Sequence, residues 1–566
     1  MAAFGRRALV RYGGLVPVVL AGSLTLPFLQ RSPLWADEAD SASAALRPLS
    51  ALVRLLGHQD GPLAAYYFLL HGWLQLVGTS AWSIRLPSTV ALLAAVALTT
   101  RLGGRLAGPR GGLIGGGLLA TNPFVLSFGT DARPYAFAVL AAAATGLLLA
   151  GAPDRPGRRR RLAYTGCALV GVLAHLFFVL LLPAHLIGVR LARRPVRPWL
   201  LPVAAVVLLS SPLLLLSAGQ TAEVGYLRTP GLLSLPGWFQ AMAGGKAWLS
   251  VPAAVLLLMA WCSGRLRDQP GLALWLLVPG PLLLVVSMVH PLYLNRYVVE
   301  SAPALSLLIA LALVRSRRTG LATVVALSLL AGSAFTSARM QSAPFRYENL
   351  QAAANTVLDG AHPQDGMVLL PAGVRTAVGF YEARVDPGAP RPTDLLAAPG
   401  RTEDALGNFG GGVLPPDQAT ARVLGRRVVW LVIYANASSR RGATATAVLA
   451  TLTRCYRPGT VHRFGIVLVQ RDEATGACGQ GAPRLASMSL AAGPVVGPGA
   501  TGAGAVRVGV RTEVEQHEAR VAIPPVGVPE LVAHAERGAV AGFSIPDQED
   551  IAAGAKIVPR TSTVAV

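Results

Sequence analysis

Two adjacent carboxylates, Asp37 and Glu38, follow directly on the first membrane-length apolar run, within Trp35-Ala36-Asp37-Glu38-Ala39. The chain uses acid sparingly, with 28 Asp plus Glu against 50 Lys plus Arg in 566 residues. An acidic pair at a membrane boundary is expensive to desolvate unless a partner or a reaction offsets the cost. Further along, Asp131-Ala132-Arg133-Pro134-Tyr135 and Asn295-Arg296-Tyr297 set acid, arginine and tyrosine at the ends of other apolar runs. These residue types suit transfer of a group from a lipid phosphate. A carboxylate takes the proton of an acceptor hydroxyl as general base, while Arg and Tyr hold the anionic phosphate that leaves. In that scheme Asp37 is the base, with Glu38 and Asp131 completing the catalytic acids. Arg133, Arg296, Tyr135 and Tyr297 are the donor-phosphate ligands, and Asp60 and His71 the candidates for sugar or acceptor. This chemistry requires no redox cofactor and is compatible with a divalent metal.

Each residue also has a plainer reading. Asp37 and Glu38 suit the cap and first turn of a helix through 46. Arg133 before Pro134 is an interfacial anchor, and Tyr135, Tyr293 and Tyr297 an aromatic belt. Asp131 with Arg133 is a local ion pair worth under ~1 kcal/mol. Histidines 58, 71, 175, 185 and 290 are too scattered for a metal site. Convergence of costly polar groups on one face is what favours function.

The elements that must position these groups are membrane helices. A hydrophobic content of 53%, a charged content of 14% and a mean hydropathy of +0.51 exclude a soluble globular protein. Apolar runs of roughly 17–20 residues are long enough to cross a ~30 Å hydrocarbon core. A net charge of +22 in a soluble protein would point to nucleic acid. Here the arginines cluster in short loops between apolar runs, which is orientation information, and no nucleic-acid partner is expected. Spans are expected near 14–30, 86–102, 112–128, 134–151, 162–176, 177–190, 199–217, 247–263, 271–289, 297–314 and 320–337. The run from 162 to 190 has basic loops at both ends, so it must be a hairpin of two short helices, with a break suggested by Pro183. Roughly eleven spans then place every basic cluster inside and the residues after 337 outside (N-in, C-out). Arg6, Arg7 and Arg11 precede a run without a small-residue cleavage site, which reads as an anchor.

The loop 31–85 and the turns at 129–135 and 290–297 fall on the extracytoplasmic side of this scheme, with Asp37, Glu38, Asp40, Asp60 and Asp131. Residues 62–78 suit a helix lying in the interface. Beyond a transmembrane module at 1–338, residues 339–475 read as a small extracytoplasmic α/β domain. Helices are expected at 348–358 and 444–454, and strands at 367–370, 428–434 and 464–470. Cys455 and Cys478 flank its end, where an extracytoplasmic site would allow a disulfide. Residues 476–505 are Gly/Ala/Pro/Ser-rich and read as a linker.

Several motifs in this order resemble the lipid-linked-sugar glycosyltransferases of the C superfamily, specifically the family 39-like, protein-mannosyltransferase-related group common in actinobacteria. They are Trp35 to Ala39; Ala65-Tyr66-Tyr67 with His71-Gly72-Trp73; Arg85-Leu86-Pro87-Ser88; Gly108 to Leu119; Asn122-Pro123; Asp131 to Tyr135; and Asn295-Arg296-Tyr297. The resemblance implies inverting transfer from a polyprenyl-phosphate sugar, mannose being the first guess, to an extracytoplasmic glycan, lipid or protein. It places the activity at the plasma membrane and Asp37 at the matched catalytic acid. One departure is that family members often carry Glu where Asp131 stands, so the carboxylate here is retracted by about one methylene. A transporter or lipid flippase is the alternative, which predicts mid-membrane charge and inverted repeats; Glu300 is the main residue in its favour.

Residues 506–566 resemble the extreme N-terminus of alanine dehydrogenase, with Arg520 at that family's substrate-carboxylate position. No GxGxxG follows to hold a pyrophosphate, so this segment is expected to be a non-functional fragment.

Overall fold

Apolar runs punctuated by Pro and Gly fold into a helical bundle that carries an α/β layer. The computed structural model describes residues 14–225, 227–231, 233–385, 391–435, 442–476 and 478. The expectations for most of the 476–505 linker and for the alanine-dehydrogenase-like 506–566 lie outside the described residues.

The two spans expected at 86–102 and 112–128 form one continuous element, Ala81–Thr121, broken at Ala107 and Gly108, where φ reaches 70° at the glycine. The break is a helical hairpin. A Cβ built on Gly103 would lie 2.7 Å from the Gly111 carbonyl oxygen, and one on Gly112 2.7 Å from that of Thr100. Glycine is what lets the two arms touch backbone to backbone. Asn122 ends the second arm and opens Pro123–Gly129, its Oδ1 accepting the Val125 N–H at 3.1 Å.

In the expected 162–190 hairpin the chain breaks at His175, between Arg158–Ala174 and the 3₁₀ turn Leu176–Leu180. Pro183 instead sits in the first turn of Leu181–Leu191. Proline is tolerated there, because the N–H it lacks would have no helical partner.

Among the described residues, five helices are long and apolar enough to cross a membrane: Ala81–Thr121, Arg197–Ala218, Pro270–Ser287, Asn295–Val314 and Thr319–Gln341. Ser234–Met242 and Ala247–Cys262 form a further pair bent by 95°. Val16–Phe28, Tyr135–Leu149 and Leu176–Leu191 are shorter apolar helices. The chain is therefore a multi-pass membrane protein whose helices follow the expected order, with several shorter than a full crossing.

The first loop is mainly helical, as Ala36–Leu46, Leu49–His58 and Ala64–Val77. Among the described residues the α/β layer has five strands: β1 Gly366–Leu370, β2 Thr393–Asp394, β3 Val428–Tyr434, β4 Tyr456–Phe464 and β5 Val467–Ala474. Their order is β2-β1-β3-β5-β4, with β1 parallel to β2 and β3, and β5 antiparallel to β3 and β4. Helices occupy Leu350–Gly360 and Ala443–Cys455, near their expected positions, and Cys455 is bonded to Cys478.

Met367, Leu369, Trp430, Val432 and Val469 pack in one cluster with Leu52, Leu55, Tyr66 and Leu70 of the first loop. One face of the sheet layer and the loop helices thus share a single apolar core. Burial of that shared apolar area is what holds the layer against the membrane module.

Candidate active site

Three loops converge on one cavity of about 450 Å³. It is lined by Asp37, Asp40, Gln59, Asp60, Arg133, Tyr135, His175, Phe177, Arg296, Tyr297 and Phe409, with Leu63, Leu214, Ser217 and Leu292 among its less polar walls.

Asp37 enters from the first turn of Ala36–Leu46, whose N-cap is Trp35. Both acids sit where a helix N-terminus favours negative charge, so the structural reading of this pair holds alongside any chemistry. The N–H of Ala36, at the helix start, is capped from another part of the chain: the Glu348 carboxylate accepts it at 2.7 Å. Burial pushes the Glu348 carboxyl up to about 7, against the lowering effect of that bond.

The two neighbouring acids then part company. Glu38 is fully buried away from the cavity and receives Arg85 at 2.7 Å from Nε and 2.5 Å from a terminal nitrogen. It also accepts the Ala132 N–H at 3.0 Å. Burial alone would raise this carboxyl, but Arg85 holds it below its ordinary value. Glu38 is thus a clamp that fixes the 131–133 turn relative to the first loop.

Asp37 faces two arginines, its Oδ1 3.5 Å from Arg133 and its Oδ2 3.4 Å from Arg296. Arg133 also reaches Asp60, at 3.7 Å, and donates to the Tyr67 hydroxyl at 3.2 Å. Tyr67 in turn donates to Asp60 at 2.5 Å. Asp60 holds φ at 55°, a left-handed conformation that Asp tolerates better than most residues. Arg296 lies over the Trp35 and Tyr297 rings at 5.8 and 5.9 Å to their centroids. Tyr297 stacks on Phe177 at 5.1 Å, and His175 sits between Tyr135 and Tyr297.

Of the residues expected from the sequence, Asp37, Asp60, Arg133, Arg296, Tyr135 and Tyr297 are brought to the cavity. Glu38, Asp131 and His71 are not. Asp131 is fully buried and ion-paired with Arg346, with burial pushing its carboxyl up to about 7. His71 Nδ1 is hydrogen-bonded with the Ala45 carbonyl at 2.8 Å, which ties two loop helices together. Glu300 is fully buried, with neither carboxyl oxygen hydrogen-bonded among the described residues, and does not line the cavity. Among the described residues no group of three or more His, Cys, Asp or Glu forms a cradle for a metal ion.

Sequence reasoning missed Asp40, Gln59, Phe409 and Glu348 as members of the site. Asp40 had a signal, since it lies three residues after Asp37 and so on the same helix face. Burial drives its carboxyl well above the ordinary range, opposed by Arg133 and reinforced by Asp37 and Asp60. Glu348 and Phe409 had none, because they act more than 300 residues away from their partners Ala36 and Gln59.

Residues 60–217 match the family described as dolichyl-phosphate-mannose-protein mannosyltransferase. That stretch contains Asp60, Arg133 and Tyr135, while Asp37 and Arg296 lie outside it. The crystal structure of ArnT from Cupriavidus metallidurans in the apo state aligns with a TM-score of 0.52 at 15% identity, covering 83% of this chain and 98% of that one. The structure of the same protein bound to undecaprenyl phosphate aligns with a TM-score of 0.52 at 13% identity, covering 81% and 97%. None of the curated proteins matches the chain. Residues 60–217, from within the first loop through the helices that follow it, are thus similar to that mannosyltransferase family, and about four-fifths of the chain shares the fold of ArnT.

Proposed function

We propose that the protein moves a sugar, mannose as first candidate, from a polyprenyl-phosphate donor to an extracytoplasmic hydroxyl acceptor with inversion. The observation that carries this reading is Asp37 held between Arg133 and Arg296 in a single cavity. The acceptor oxygen attacks the anomeric carbon while its proton passes to the Asp37 carboxylate. The bond from that carbon to the phosphate oxygen breaks, and its electron pair stays on the phosphate. Arg296, with Tyr297 and Tyr135 beside it, meets the charge that gathers there. Arg133 orients Asp37 and Asp60. Glu38 and Asp131 contribute by fixing the loops. The undecaprenyl phosphate held by ArnT in a similar fold supports a lipid-phosphate donor. The clustering of Arg residues in the opposite set of loops, together with the Cys455–Cys478 disulfide, supports an extracytoplasmic cavity in the plasma membrane with about eleven spans.

Membranes carrying the full chain, given labelled polyprenyl-phosphate mannose, are expected to transfer label, and Asp37→Asn to abolish that transfer. Full transfer by the variant would overturn the mechanism; transfer of another sugar only would correct the substrate.

A further inference from the structure

The cavity has two chemically distinct ends, with Asp37 and Arg133 between them. Arg296, Tyr297, His175 and Phe177 form a cationic, aromatic end beside the membrane helices. Asp40, Gln59, Asp60 and Phe409 form the other, which is acidic and borders the α/β layer.

Phe409 comes from a segment of the α/β layer latched onto the first loop at several points. Arg54 Nε donates to the Asp404 carbonyl at 2.9 Å, Arg47 donates to the Asn408 carbonyl at 3.0 Å, and Arg47 pairs with Glu403 at 3.2 Å. Gly407, at φ 62°, passes so close to the Arg54 carbonyl that a Cβ would lie 2.8 Å from its oxygen. The Phe409 N–H then donates to Gln59 Oε1 at 3.0 Å, and the Arg47 guanidinium covers the ring at 5.3 Å to its centroid. So many contacts for one short segment fix where the aromatic ring stands at the cavity wall.

We infer that this acidic end, walled by Phe409, is the acceptor subsite and takes the ring of a neutral sugar. The inference rests on the proposed transfer reaction, because displacement with inversion requires the acceptor hydroxyl opposite the departing phosphate. The cationic end suits the phosphate, which leaves the acidic end for the nucleophile. An aromatic ring offers a face to the apolar C–H side of a sugar. With Oε1 of Gln59 engaged by Phe409, that side chain offers its amide N–H groups to hydroxyls. The Asp40 and Asp60 carboxyls, both on the cavity wall, present oxygens to the sugar's hydroxyls. Phosphorylated or acidic acceptors are disfavoured, since Arg133 is already committed to Asp37, Asp60 and Tyr67.

The test uses the full chain in lipid nanodiscs with labelled polyprenyl-phosphate mannose. Transfer is measured to a neutral alkyl disaccharide and to a Ser/Thr peptide, and sugar release to water is measured without acceptor. Wild type is expected to prefer the disaccharide. Phe409→Ala should raise the KM for it about tenfold, the loss of one aromatic contact, and should raise it more than the donor KM. Phe409→Leu, which keeps the apolar volume of the latch, should share the defect, and Phe409→Tyr should largely restore the KM. An unchanged disaccharide KM in both Ala and Leu variants, or preference for the peptide by wild type, would overturn the acceptor assignment alone. A wild-type protein that consumes no donor would overturn the transfer reaction and this inference with it.

Discussion

Glu38 and Arg85 form a fully buried bidentate ion pair, while Asp37, one residue earlier, turns into the cavity. Neighbouring positions on a helix point about 100° apart, so one carboxylate serves the scaffold and the other meets the arginines.

The pair predicts a stability defect separable from chemistry. Arg85→Met leaves the buried Glu38 carboxylate uncompensated and should cost about 3–5 kcal/mol. Thermal unfolding of purified protein checks this, and pairing the change with Glu38→Leu should recover part of the loss. Absence of any melting shift would remove the clamp role.

Asp37→Asn keeps side-chain size but cannot accept the acceptor proton. Transfer should fall by about 100- to 10,000-fold, the usual contribution of a positioned general base. Donor affinity, followed by equilibrium binding of the labelled lipid, should change far less than kcat.

Arg296→Lys retains charge but loses the planar fork that faces both Asp37 and the phosphate end. The expected result is a donor KM raised about tenfold, equivalent to one charge-assisted hydrogen bond. Arg133→Lys should additionally depress kcat if Asp37 is the proposed base, because Arg133 lies 3.5 Å from Asp37 Oδ1.

The seam between the α/β layer and the first module carries two buried carboxyls raised to about 7, Asp131 and Glu348. A carboxyl whose folded value lies above its unfolded value binds more protons when folded. Its stabilisation is complete below about 4.5 and is lost as pH rises through about 7. Melting temperature should therefore fall between pH 5 and pH 7.5, and Asp131→Asn with Glu348→Gln should flatten that slope.

Composition and hydropathy alone establish a multi-pass membrane protein, because a ~30 Å hydrocarbon core admits only long apolar segments with internally satisfied backbones. Local pattern also places the strands at 428–434 and near 367–370, since a buried strand is a short continuous apolar run. The acid and arginine motifs around Asp37, Arg133 and Arg296 are equally legible, as desolvated charge at a membrane boundary stands out in any such sequence. What the charges do there was decided by tertiary structure. No local signal separates Asp37 from Glu38, Arg133 from its neighbour Asp131, or His71 from a ligand. Their roles follow from which partner each meets: Arg85 for Glu38, Arg346 for Asp131, the Ala45 carbonyl for His71. Likewise Glu348 and Phe409 join the site only because a shared apolar core presses the α/β layer onto the first loop. Contacts across more than 300 residues leave no periodicity in the chain; they exist only once it has packed.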